Sequence, residues 1–249
     1  MNIKQEIKTG YSNIVFQNNL NAEQQRNSVC LPIFNPIKQK YPTFQGYIDE
    51  ANLGLGCGFP FEYVNFSEKD TVLDLGCASG IDCFIMASKI SSNGMVIGID
   101  ITENLIEKAT AIANKNNIKN VQFNTSDIEN LRFKDDNFDI ITSNGVFSLL
   151  PNLQNAFNEI HRVLKPNGQF CFSDINKKGK FGQENYTKLK EFTGCLNGIR
   201  YQQLYVDYLE NAGFSSIEIV DERPIILPDN LLENYTENLA FITTFKIKK

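Results

Sequence analysis

The sequence predicts an α/β protein with a doubly wound, mostly parallel sheet of seven strands, Rossmann-like in plan. Two observations carry that prediction. Short β-branched and leucine-rich runs alternate along the chain with longer segments whose apolar residues recur at helical spacing. The first run, Val72-Leu73-Asp74-Leu75, opens into the small-residue turn Gly76-Cys77-Ala78-Ser79-Gly80, and the second, Val96-Ile97-Gly98-Ile99-Asp100, ends in an acid. In open α/β sheets ligands bind at the carboxyl ends of the strands, and the first strand–turn–helix receives the nucleotide-like part.

The elements follow in order. Residues 1–50 are rich in Asn and Gln, helical at the start and looser around Pro32, Pro36 and Pro42, and read as an N-terminal cap on a main domain of residues 51–249. The first strand spans 71–75 and its helix about 81–90; the second strand spans 95–100. Thr102 then stands where a hydroxyl caps a helix carrying Leu105, Ile106, Ala109 and Ile112. Strands at 121–124 and 139–143 come next. Leu153, Ala156, Phe157, Ile160, Val163 and Leu164 mark an amphipathic helix stopped by Pro166 and Gly168. A strand at 169–173, helical segments at 184–196 and 201–212, and two last strands at 216–220 and 241–248 complete the pattern.

Composition bounds the function. The chain of 249 residues is 42% hydrophobic, enough for a substantial core, and carries a net charge of −5. Phosphate backbones are bound by clustered Lys and Arg, so this balance argues against a nucleic-acid partner. No apolar run approaches the length of a membrane span, and the polar N-terminus lacks a signal-peptide core. Six cysteines without such a signal fit reduced thiols in a cytoplasmic protein. One His and no Cys-x-x-Cys pair leave a metal site of the usual kind without ligands. The oligomeric state is not legible.

Small residues at 76, 78 and 80 let the backbone turn sharply and approach a ligand, and an acid after the second strand can accept hydrogen bonds from two ribose hydroxyls. These features predict a site for an adenosine-bearing cofactor. The spacing Gly76-x-Ala78-x-Gly80, with Asp74 two residues ahead, differs from the dinucleotide pattern and resembles the first motif of the class I S-adenosylmethionine-dependent methyltransferases. That resemblance implies a class I methyltransferase fold with S-adenosyl-L-methionine as cofactor. It puts Gly76, Cys77, Ala78 and Gly80 around the cofactor, Asp74 near its methionine amino group and Asp100, followed by Ile101, at the ribose. It further puts Asp127 and Ile128 at the adenine and Asn144 close to the methyl donor. Ala78 stands where glycine is usual; alanine resists positive φ, so a reshaped turn is expected.

A narrower resemblance covers residues 46–249. Gly56-Cys57-Gly58, Gly80-Ile81-Asp82-Cys83, Ser143-Asn144-Gly145-Val146, His161-Arg162-Val163-Leu164-Lys165-Pro166 and Gly194-Cys195-Leu196-Asn197-Gly198 resemble segments of the arsenite methyltransferases, in the same order. In that family thiols converge beside the methyl group and hold As(III), a soft centre that prefers thiolates. Cys57 and Cys195 match two of those thiols, and so are candidate catalytic residues with Asn144; each is equally readable as packing. Gly145 stands where the third thiol is usual, and Cys30 resembles an auxiliary one. Cys171, between Phe170 and Phe172, reads as core, Cys77 and Cys83 as packing in the cofactor turn and its helix, and His161 as structural. The reading reached is a methyltransferase acting on a small-molecule acceptor with an altered acceptor site. The alternatives are a true arsenite methyltransferase using Cys57 and Cys195, and a non-catalytic protein that binds the cofactor or a metalloid.

Overall fold

Parallel strands need crossover helices, and the alternation in the sequence supplies them. The computed structural model describes residues 3–16, 37–178, 198–225 and 240–249. After helix α1 (Ile3–Phe16) come β1 (Thr71–Leu75), α2 (Ile81–Ala87), β2 (Met95–Asp100), α3 (Glu103–Lys115), β3 (Val121–Thr125), β4 (Phe138–Asn144), α4 (Leu153–Val163), β5 (Leu164–Lys177), β6 (Arg200–Tyr201), α5 (Gln202–Asn211), β7 (Ser216–Pro224) and β8 (Ala240–Lys248). The sheet order is β3-β2-β1-β4-β5-β8-β7, with the two-residue β6 paired to β5. β1 to β5 pair parallel with one another, and β8 is antiparallel to both β5 and β7. The seven expected strands are present, and β6 is an eighth.

Two apolar layers sandwich this sheet. On one face Leu153, Ala156, Phe157 and Ile160 of α4 pack with Tyr205 and Leu209 of α5 against Phe170, Phe172 and Phe245. On the other, Cys83, Ile85 and Met86 of α2 and Ile106 of α3 pack with Tyr41, Phe59 and Phe61 against Val72, Val96 and Ile140. Burying each of these large side chains contributes roughly 1.5–3 kcal/mol. Cys171 is fully buried in the second layer, as its place between two phenylalanines predicts. His161 stacks edge-on to Phe214 at 4.9 Å, and burial lowers its pKa.

Several boundaries differ from expectation. α2 stops at Ala87; Ser88 still has helical backbone angles, and its hydroxyl lies 2.7 Å from the Ile85 carbonyl and 3.0 Å from that of Gln45, tying the helix end to the segment before it. β5 begins at Leu164, directly after α4, and takes in Pro166 and Gly168; its pairing with β4 slips between Phe138 and Ile140, so the ladder does not need the N–H that proline lacks. Thr102 is the N-cap residue of α3 but makes no side-chain cap bond; its N–H donates to Asp100 Oδ1 at 2.8 Å instead. The segment 184–196, with Cys195, and Cys30 lie outside the described residues.

Candidate functional site

Strand register brings the carboxyl ends together. Leu75 lies beside Ile99 and Ser143, Asp100 beside Thr125, and Asn144 beside Ser173. The turn after β1 is stitched to β2 by the N–H groups of Gly76 and Cys77, which donate to the Ile99 carbonyl at 2.8 and 2.9 Å. Gly76 (φ +72°) and Gly80 (φ +89°) take the left-handed conformation, and so does Ala78 (φ +48°). Alanine therefore keeps the glycine-type turn, at a cost of about 1–2 kcal/mol. A Cβ on Gly76 would stand 2.4 Å from Val146 Cγ2, so only glycine permits the wall opposite to close in this way.

That turn is the floor of a cleft with two chambers, which share Leu55, Gly76, Ala78 and Asn144. The outer chamber is bordered by Asp100, Ile101, Asp127, Ile128 and Val146, and by Lys4, Ile7 and Tyr11 of α1. Asp100 is fixed there: Oδ1 accepts the Thr102 N–H and Oδ2 the Ala78 N–H at 3.1 Å, leaving lone pairs for a ligand. Burial pushes its carboxyl above the usual range, and the two backbone donors partly offset that. The inner chamber is bordered by Tyr41, Cys77, Asp74 and Asp82.

Asp74 and Asp82 are both buried. Asp74 accepts from the Thr142 hydroxyl at 2.8 Å and the Cys83 thiol at 3.3 Å; Asp82 accepts from the Tyr41 hydroxyl at 2.7 Å and from Asn144 Nδ2 at 2.9 Å. Burial raises both carboxyls, and at Asp74 the negative charge of Asp82 adds to it. Two carboxyls under a low-dielectric roof favour a cation between them. The cleft thus offers hydrogen-bond acceptance for vicinal hydroxyls at Asp100, apolar contact for a flat base at Ile128, and negative charge at its inner end.

Asn144 joins this site to the next. Its Oδ1 accepts the N–H groups of Cys57 and Gly58 at 2.9 and 3.0 Å, and its Nδ2 reaches the Gly58 carbonyl (2.9 Å), Tyr41 (3.1 Å) and Asp82. The Gly-Cys-Gly segment is thereby fastened over the end of β4. Cys57 is fully buried, its thiol donating to the Ser173 carbonyl at 3.3 Å. Burial first, and the charge of Asp174 second, push that thiol well above its ordinary pKa. Gly145 (φ +78°) faces it: a Cβ there would lie 3.6 Å from Cys57 Sγ and 3.5 Å from the Leu55 carbonyl oxygen, in ordinary contact.

The candidate catalytic and cofactor-binding residues, except Cys195, which lies outside the described residues, fall along this edge. Asp74, Gly76, Cys77, Ala78, Asp100, Ile101, Asp127, Ile128 and Asn144 border the chambers, Gly80 is the N-cap of α2, and Cys57 sits behind Asn144. Cys77 and Cys83 are buried thiols raised by desolvation. Asp82 lies in a family-like segment of the sequence without a role legible there, and nothing in the sequence assigns one to Tyr41 or to Lys4, Ile7 and Tyr11. Spacings of three and four along α1 were the one available signal for the last three. Among the described residues no cluster of His, Cys, Asp and Glu is arranged to hold a metal ion, and no helix is long and apolar enough to cross a membrane.

Comparison with known proteins gives the family. A methyltransferase domain matches residues 66–213. The arsenite methyltransferase of Halobacterium salinarum is 36% identical over 171 residues, 69% of this chain and 44% of that protein; the human arsenite methyltransferase is 28% identical over 259 residues, 99% of this chain and 68% of that one. Among solved structures, an arsenic(III) S-adenosylmethionine methyltransferase from Chlamydomonas reinhardtii superposes with a TM-score of 0.70 at 27% identity, covering 78% of this chain and 67% of that one. The chain spans about half the length of the first curated relatives it matches, 44% and 54%. A turn bearing glycines at 76 and 80, an acid at the end of β2 and a domain match over 66–213 lead to one conclusion: this chain belongs to the class I S-adenosylmethionine-dependent methyltransferases and resembles the arsenite methyltransferases among them.

Proposed function

We propose that the protein transfers a methyl group from S-adenosylmethionine to a small-molecule acceptor, at a site laid out like that of the arsenite methyltransferases but lacking one of its thiols. The family cofactor fits the chain's own residues. Asp100, with both oxygens anchored by backbone N–H groups, is poised for the ribose hydroxyls; Ile128 and Asp127 border the space for the base; Asp74 and Asp82 would balance the positive methionine end. The cofactor, when bound, supplies an activated methyl group on a sulfonium leaving group. What remains for the protein is alignment and exclusion of water. Asn144 does the first by fastening residues 57–58 to the end of β4. Val146, close over Gly76, narrows the cleft between the chambers.

One observation carries the altered acceptor site: the position facing Cys57 Sγ is Gly145, where a Cβ would fit in ordinary contact and none is present. A neutral, buried Cys57 thiol that faces Gly145 rather than a thiol at that position is a poor ligand for As(III), which binds thiolates. A soft or already ionised acceptor needs no general base, and His161, the only histidine, is packed against Phe214 far along α4. The test is methyl transfer from labelled cofactor to a panel of small thiols, amines and As(III) with glutathione, with cofactor binding measured in the same sample. Transfer to an organic acceptor and not to As(III) supports the reading, whereas rapid methylation of As(III) alone rejects it in favour of an arsenite methyltransferase that works without a thiol at 145.

A further inference from the structure

Helix α1 lies far in sequence from the cofactor turn, yet it forms one wall of the outer chamber. Its half-buried residues are Lys4, Ile7, Lys8, Tyr11 and Ser12, while Gln5, Glu6, Thr9 and Gly10 are exposed. Intervals of three and four put the first set on one face of the helix, and Lys4, Ile7 and Tyr11 from that face border the same space as Asp100, Asp127 and Ile128. The helix is pinned at its first turn. Lys4 Nζ stands 2.6 Å from Asp127 Oδ2 and 2.6 Å from Glu129 Oε2. Asp127 Oδ1 accepts the Glu129 N–H at 3.0 Å, so this carboxylate is held from both sides.

The geometry assigns α1 to the cofactor site: we propose that Lys4 is a latch that holds this helix over the adenosine end, with Ile7 and Tyr11 as the apolar cover, and that the latch sets how fast the cofactor leaves. The inference rests on the reading that this cleft takes S-adenosylmethionine. Several points make the latch more than a surface contact. The Lys4 side chain is 25% exposed and those of Asp127 and Glu129 35% and 9%, so the bridge is screened less than a pair in open solvent. One ammonium also relieves the repulsion between two neighbouring carboxylates. Each Asp127 oxygen keeps a lone pair beyond those already engaged, so the latch orients the acid for an exocyclic amine without consuming it. Lys4 is in this sense a positioning residue: it acts through Asp127 and through the placement of α1.

Stopped-flow dissociation and calorimetric affinity of S-adenosylmethionine, measured on full-length wild type, Lys4→Glu, Lys4→Arg and Lys4→Met, test the latch. Reversing the charge should speed dissociation about tenfold, and Lys4→Arg should stay within about twofold of wild type. Salt should accelerate release from wild type and leave Lys4→Met unchanged, a response that a purely structural role of the helix would not produce. Tyr11→Ala, which leaves the ion pairs in place, should also speed release and keep the salt response. Wild-type dissociation kinetics in Lys4→Glu would overturn the latch while leaving the cofactor reading intact. Failure of the wild-type protein to bind S-adenosylmethionine at all would overturn both.

Discussion

The two halves of the cleft are built differently. The cofactor half is made of backbone: a turn of left-handed residues at 76, 78 and 80, N–H groups donating to the Ile99 carbonyl, and Asp100 fixed by two main-chain donors. The half we assign to the acceptor is made of side chains from separate segments, with Asn144 holding residues 57 and 58 across 87 and 86 positions of sequence, and Gly145 facing Cys57. A backbone site tolerates change around it and keeps its ligand. A side-chain site can change its ligand by losing one group, which is the change we propose at Gly145.

The comparison can be broken first at Asn144. Asn144→Ala would remove acceptor and donor together and leave the Cys57 and Gly58 N–H groups and Asp82 without those partners. We expect a loss of about 2–4 kcal/mol of stability, read as a lower denaturation midpoint. Next in size is Asp100→Ala, expected to weaken S-adenosylmethionine binding by about 1.5–3 kcal/mol in calorimetry, the range for hydrogen bonds to a charged group. Unchanged affinity would remove Asp100 from the ribose contact and with it the backbone account of the cofactor half.

The inner acids predict a pH response. Burial, reinforced at Asp74 by the charge of Asp82, holds these carboxyls above their ordinary 3.8. The folded protein therefore binds more protons than the unfolded chain just above that value. The stability this contributes is complete below the unfolded pKa and is lost as pH rises through the folded values. A cationic ligand end favours the ionised pair, so binding should release protons. Affinity for S-adenosylmethionine should then rise between about pH 5.5 and about pH 8, up to tenfold per unit where one proton is released. Calorimetry in buffers of different ionisation enthalpy measures that release directly, and a flat profile would mean that the acids do not meet the charge.

The smallest expected effect is at the turn. Ala78 holds φ +48°, so Ala78→Gly should relieve strain and raise stability by about 0.5–1 kcal/mol, seen as a higher melting temperature with cofactor affinity retained. A loss of stability would mean that contacts of the Ala78 methyl outweigh the strain.

How much of this was legible follows the same division. The parallel sheet and the cofactor turn can be read from contiguous residues, because strand, turn and acid lie within one stretch and the helical and strand periods are unambiguous there. Helix ends are less legible: nothing local says that α2 stops at Ala87, with the Ser88 hydroxyl beside the carbonyls of Ile85 and Gln45, or that Leu164 passes straight into β5. The family resemblance implies a place for Asn144 beside the methyl donor; in the structure it borders both chambers, and its side-chain hydrogen bonds go to the 57–58 segment, Tyr41 and Asp82. The Tyr41–Asp82 bond spans 41 positions and the Lys4–Asp127 bond 123, and no local pattern announces contacts of that reach. Gly145 is the converse case. The glycine at 145 is visible in the sequence, while its approach to Cys57 becomes visible only once the strands are in register.

If Gly145 redirects an arsenite-type site to another acceptor, as proposed, wild type and Gly145→Cys should differ on As(III). Both would be given labelled S-adenosylmethionine, As(III) and excess glutathione, with methylated arsenic separated by chromatography and cofactor binding checked in each sample. Left-handed backbone at 145 costs a non-glycine residue about 1–2 kcal/mol, which a folded domain can absorb. The account predicts cofactor binding by both proteins, methylated arsenic from Gly145→Cys, and little or none from wild type. Turnover of As(III) by wild type at a rate matching or exceeding that of Gly145→Cys would contradict it.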